Sequence, residues 1–238
     1  MHNSPPPVAL QTHDKHMIIA LLGAESTGKS ALTHALVRHL QERGVQAVAV
    51  DEYLREWCAE HGRTPQPHEQ VHIAETHQRR IQAAAAQHSV VIADTTPLMI
   101  AIYSDLLFDD RSLYDMALAH QRTFDLTLVT GLDLPWVADG LQRDGPHVRE
   151  PVDALLRATL AQGNIPYHVV YGSDALRTEN ALKSVETYRE SLKTSKTASS
   201  LRPSTAAKVE EAGQTWVCER CSDPECEHRL FTSLLRNT

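Results

Sequence analysis

Residues 23–30 read Gly-Ala-Glu-Ser-Thr-Gly-Lys-Ser, directly after the apolar run His16-Met17-Ile18-Ile19-Ala20-Leu21-Leu22 and directly before a stretch of helical periodicity. This spacing, G-x-x-x-x-G-K-S, suits one chemistry: holding a chain of phosphates. Gly23 and Gly28 let the backbone turn tightly. The N–H groups of Ala24, Glu25, Ser26 and Thr27 can then wrap phosphate oxygens, and the following helix adds the positive end of its dipole. Lys29 is expected to reach the β- and γ-phosphates, and the Ser30 hydroxyl to ligate Mg²⁺. The ligands implied are ATP and Mg²⁺, and the reaction class is phosphoryl transfer.

Two further groups could complete such a site. Asp94 follows the apolar residues Val90-Val91-Ile92-Ala93, a strand-end position from which a carboxylate holds Mg²⁺ or its water. The same Asp94-Thr95-Thr96-Pro97 also suits helix initiation, so a capping role stays open. Asp51-Glu52-Tyr53-Leu54-Arg55-Glu56-Trp57 offers carboxylate, cation and aromatic surface together. Phosphoryl transfer to a hydroxyl needs a carboxylate to take or orient its proton, so this segment is a candidate acceptor site, with Asp51 or Glu52 as the base. The plainer alternative is the start of an amphipathic helix whose Glu52–Glu56 face meets solvent.

Two other patterns suggest different metals. His68-Glu69-Gln70-Val71-His72 has the H-E-x-x-H spacing of a zinc peptidase, but with 14 His in the chain a solvated helix face is the plainer reading. Cys218, Cys221, Cys226 and His228 offer three thiolates and an imidazole, adequate for one structural Zn²⁺; the alternative is an exposed tail with free thiols. The chain has four Cys, three of them in this cluster. They are too close together for a disulfide framework and fit a reducing, cytoplasmic setting.

The elements that must position these residues alternate. Strands are expected at 16–22, 45–50, 89–93, 126–129 and 167–171, with helices at 29–43, 65–87, 98–108, 112–122 and 152–161. This is an α/β pattern: a parallel sheet with helices on both faces and ligands beyond the carboxyl ends of its strands. Gly23–Ser30, Asp51, Glu52 and Asp94 all fall at such ends. Residues 1–15, with Pro5-Pro6-Pro7, read as a disordered arm, 16–190 as the folded domain, 191–213 as a linker and 214–238 as the Cys-rich tail.

The bulk composition narrows the partners. A formal charge of −7 opposes general nucleic-acid binding, which rests on clustered Lys and Arg. No apolar run approaches the roughly 20 residues of a membrane span. Small molecules are the expected ligands of a kinase; the alternative is a regulatory nucleotide-binding switch, in which nucleotide alters how the Cys-rich tail meets a protein partner.

The ordered set of motifs resembles the ribosylnicotinamide kinase domain of NadR-like proteins, an AAA-type P-loop family. The set is Gly23-Ala-Glu-Ser-Thr-Gly-Lys-Ser30, Glu52-Tyr-Leu-Arg55-Glu-Trp57, Asp94-Thr-Thr96, and Asp133-Leu-Pro-Trp136 with Asp139-Gly140. The resemblance covers about residues 16–190 and implies a nucleoside-kinase-like P-loop fold and an ATP:nucleoside kinase that makes nicotinamide mononucleotide from its riboside. It further implies that Asp51 or Glu52 holds the ribose hydroxyls, with Arg55 and Trp136 at the substrate. Tyr53 or Trp57 would stack on the base, and Arg143 and Arg149 would lie in a lid over ATP. The chain departs from the NadR pattern in lacking an H-x-G-H adenylyltransferase motif, and in Leu141-Gln142-Arg143, where Arg143 stands one place later than in the family's Asp-Gly-Leu-Arg.

Overall fold

The computed structural model describes residues 16–138 and 145–199, with side chains as far as residue 192. Asp139, Gly140, Arg143, the arm, the far part of the linker and the ligand set Cys218, Cys221, Cys226 and His228 lie outside the described residues.

Five strands, β1 (Met17–Leu22), β2 (Ala47–Val50), β3 (Val90–Asp94), β4 (Leu126–Thr130) and β5 (His168–Val170), form one sheet in the order β2-β3-β1-β4-β5, every pairing parallel. The apolar run of β1 is continuous because both faces of this central strand are covered. Ile19 and Leu21 pack with Leu36 and Leu40 of α1 (Lys29–Glu42) and with Leu182 and Val185 of α7 (Asp174–Ser199). Ala20 and Leu22 face the opposite layer, built around α3 (Gln70–Ala85), α4 (Pro97–Phe108), α5 (Tyr114–Gln121) and α6 (Arg149–Gln162).

The expected strands and five expected helices are all present, and α2 (Tyr53–His61) and α7 stand beyond them. α2 occupies the segment read as a candidate acceptor site, for which a helix start was the alternative, and a short 3₁₀ turn, Pro67–Glu69, precedes α3. Glu69 is fixed there by bidentate pairing with Arg63 at 2.7 Å and by accepting from the Gln66 N–H. Arg63 above all, then the Gln66 N–H, pulls its carboxyl down to about 2. That leaves Glu69 a structural anion, and among the described residues no three His, Cys, Asp or Glu side chains group as metal ligands. α7 runs to Ser199, past residue 190, where the sequence reading ended the domain. Among the described residues, no helix is long and apolar enough to cross a membrane.

Candidate active site

The phosphate loop is held by contacts that leave no room for larger residues. Gly23 has φ 143°, and a Cβ there would lie 2.1 Å from Thr130 Oγ1 at the end of β4. The Thr27 hydroxyl donates to the Ala24 carbonyl at 2.7 Å and lies 2.7 Å from Thr130 Oγ1, tying the loop both to itself and to β4. Gly28, at φ 77°, starts α1 in the left-handed region that glycine tolerates best. Ser26, also left-handed at φ 54°, exchanges hydrogen bonds with Val137: its Oγ accepts from the N–H at 2.7 Å and donates to the carbonyl at 3.2 Å. Lys29 Nζ donates to the Ala24 carbonyl at 2.8 Å, folded back over the loop. Ser30 lies in the first turn of α1.

Two neighbouring side chains bind this loop to distant segments. Glu25 is 6% exposed, and its Oε1 accepts from Trp136 Nε1 at 3.0 Å and from the Gly145 N–H at 3.1 Å. Arg177, at the start of α7 and 3% exposed, donates to the Thr27 and Gly131 carbonyls at 3.0 and 3.1 Å and to Asp133 Oδ1 at 3.0 Å. Sequence reasoning missed both roles. Arg177 carried no motif to mark it, and Glu25 counted only as loop backbone.

A cleft opens from the loop between α2 and α4. Gly23, Glu25, Lys29 and Glu52 line its inner end; Leu54, Met99, Ile100, Tyr103 and Phe108 supply an apolar outer wall. α4 could have signalled this wall, because Pro-Leu-Met-Ile-Ala-Ile-Tyr is apolar on every side of a helix and so covers more than a core. Glu52 keeps 18% of its side-chain surface and accepts from Arg55 Nε at 3.0 Å. Burial pushes its carboxyl above the ordinary range; Lys29 opposes this, Asp94 adds to it, and Arg55 again pulls it down.

Asp94 ends β3 and is 2% exposed, and its Oδ1 has no hydrogen-bond partner among the described residues. An orphaned buried carboxylate oxygen is costly unless something else binds it. Mg²⁺ is usually held by one or two carboxylates together with substrate phosphates, so Asp94 with the Ser30 hydroxyl is a donor set of the right kind.

Several expected site residues stand elsewhere. Asp51 points away from the cleft and pairs with His34 at 3.1 Å, its side chain 72% exposed. Trp57 is 4% exposed in the core, stacked on His61 with centroids 3.9 Å apart and covered by Arg63. Tyr53 packs beneath the Arg80 guanidinium at 4.3 Å. α2 explains both placements: as a helix it turns its aromatic residues toward α3 and the core, leaving Glu52, Leu54 and Arg55 to the cleft. Trp136 meets Glu25 instead of the cleft. Arg149 is 8% exposed and donates to the Leu134 and Leu132 carbonyls at 2.9 and 3.3 Å, so it braces the segment after β4 from below.

A second, wider groove of about 640 Å³ lies on the other side of Gly28, between α1, Leu134 and the start of α7. The loop therefore stands between two clefts.

Residues 18–177 match the sequence profile of the AAA domain family. The chain belongs to that family. Its fold is shared with a crystal structure of NadR protein in complex with NR, at 18% identity and TM-score 0.62 over 73% of this chain and 52% of that one. It is also similar to thymidylate kinase from Ehrlichia chaffeensis, at 17% identity and TM-score 0.52 over 72% of this chain and 98% of that one. The AAA domain chain thus spans about half the length of the NadR structure. No curated protein matches it.

Proposed function

We propose that the protein is an ATP- and Mg²⁺-dependent small-molecule kinase whose acceptor is a ribonucleoside, with nicotinamide riboside the first candidate. The observation that carries this reading is the position of Glu52. A half-buried carboxylate lines an apolar-walled cleft together with Lys29 of the phosphate loop, while a separate groove adjoins the same loop at Gly28. Two substrates can then meet across the loop, the donor's nucleoside end in the wider groove and the acceptor in the cleft. The NadR structure bound to NR supports the choice of acceptor.

In this mechanism the backbone of residues 23–28 binds the donor phosphates, and Lys29 balances the charge that develops on the transferring group. Ser30 and Asp94 would hold Mg²⁺, which supplies charge neutralisation on the phosphates. The acceptor hydroxyl oxygen forms its bond to the γ-phosphorus as the bond from that phosphorus to the β–γ bridging oxygen breaks. Glu52 takes the hydroxyl proton, and ADP leaves. A carboxyl raised by burial is a better base near neutral pH than an ordinary one, because its proton affinity lies closer to the working range.

The test is an acceptor screen on the full chain with ATP and Mg²⁺, following ADP release and product mass. Ribonucleosides should gain one phosphoryl group, nicotinamide riboside among them, and free nicotinamide should not. Turnover only with nucleoside monophosphates, or ATP hydrolysis indifferent to every acceptor, would overturn the acceptor assignment.

A further inference from the structure

Gln70 opens α3 and is 5% exposed, yet it lines the acceptor cleft. Its side-chain amide makes no hydrogen bond to any described residue, and its polar atoms are not among the unpaired side-chain atoms that are fully buried. The contrast with its surroundings is sharp. Glu52 and Arg55 pair with each other, and Glu25 is held by Trp136 and Gly145. Leu54, Met99 and Ile100 offer nothing polar from their side chains. A primary amide in a cleft with no protein partner keeps its donor and acceptor for whatever enters, and a ligand that matches both replaces the water they would otherwise meet.

We propose that the Gln70 side-chain amide is a specificity-determining group that reads an uncharged, planar donor–acceptor edge on the acceptor, such as a ring carboxamide. This rests on the kinase reading above and assigns the recognition chemistry of its cleft. An amide presents one N–H donor and one C=O acceptor in a single plane, so a second amide satisfies both in one coplanar pair. A carboxylate on the same ring can accept from the N–H but sets its other oxygen against the Gln70 carbonyl. A site built around such a bond rejects the analogue that cannot complete it.

The experiment compares kcat/KM for nicotinamide riboside and nicotinic acid riboside, which differ only in carboxamide against carboxylate. The wild-type chain should favour the carboxamide about tenfold or more. Gln70→Leu should bring the ratio to within about twofold while the KM for ATP stays constant. Gln70→Glu, nearly the same shape, should keep or widen the preference, because its charge repels the acid and still accepts from the amide N–H. A purely structural role would move both acceptors together in either variant. The proposal is overturned if Gln70→Leu keeps the wild-type ratio. Should the leucine variant fail to fold, a Gln70→Glu ratio that drops toward one overturns it equally. If the wild-type chain phosphorylates neither riboside, the acceptor reading itself fails, which the wild-type data alone reveal.

Discussion

The Arg177 guanidinium donates to the Thr27 carbonyl at 3.0 Å, so the first turn of α7 supports the phosphate loop from behind across 150 residues of sequence. The same side chain satisfies Gly131, Gly172 and Asp133. Arg177→Met would leave these carbonyls unpaired and Asp133 without its cation, costing about 2–4 kcal/mol of stability. Arg177→Lys should recover little, since an ammonium cannot serve several acceptors in one plane. Urea unfolding together with ATP titration checks this: both variants should lose ATP affinity under conditions where they remain folded. Wild-type ATP affinity in a folded Arg177→Met protein would refute the bracing role.

Asp94 carries the opposite expectation for stability. Its buried Oδ1 has no partner among the described residues, so Asp94→Asn removes an unsatisfied buried carboxylate with almost no change of shape and should leave the metal-free melting temperature equal or higher. The Mg²⁺ concentration for half-maximal turnover should rise about tenfold or more, and turnover should fall with it. A lower melting temperature with an unchanged Mg²⁺ titration would assign Asp94 to capping and packing instead.

Glu52 makes a prediction in pH. Because burial raises its folded carboxyl above 4.5, the native state keeps the proton after the unfolded chain has lost it. Stability contributed by this group therefore falls as pH rises from about 4.5 through the folded value. Activity should do the reverse, rising with pH as the base ionises. Glu52→Gln should abolish the acidic limb of the rate profile and lower kcat by about 10²–10⁴. Retention of the limb would move the base to another residue.

How far the sequence could be read depended on distance along the chain. The loop 23–30 is contiguous, and each strand ending beside it is a short apolar run, so the rim of the sheet was legible. The walls of the cleft were not. Trp57 beside a carboxylate resembles a stacking platform, yet the helical period of α2 turns it under His61 and into the core. Asp51 and Glu52 are adjacent and alike in type, and only the start of α2 separates a solvent-facing carboxylate from one in the cleft. Arg149 reads as a loop cation, but the first turn of α6 buries it beneath Leu132 and Leu134. Ala181, Leu182, Val185 and Tyr188 in α7 do carry a helical period, so that helix was visible in principle; the role of Arg177 was not, because its partners come from three separate turns.

The last prediction concerns two buried histidines behind the site. His120 on α5 is 4% exposed, stands edge-on to Phe124 at 5.2 Å, and has an Nδ1 without a partner among the described residues. Burial, with a smaller contribution from His77, pushes its pKa down to about 4. His77 on α3 lies 3.2 Å from the Thr95 carbonyl and is lowered mainly by burial, while the Thr95 carbonyl and Asp94 pull it back up. The His120 ring is therefore neutral in the native protein where the unfolded chain, near 6.5, already binds protons, and the shift of His77 has the same direction. With more protons bound to the unfolded state, stability rises with pH across this window and is lost as pH falls from about 6.5 toward 4. The His120 contribution should be roughly 1–3 kcal/mol over that range. Glu52 acts with opposite sign nearby, so the decisive quantity is the difference between wild-type and His120→Leu urea midpoints, measured at steps from pH 7 to pH 4.5. The difference should shift toward the variant as pH falls, whatever the variant costs at pH 7. A difference independent of pH would mean that His120 is not kept neutral by its burial.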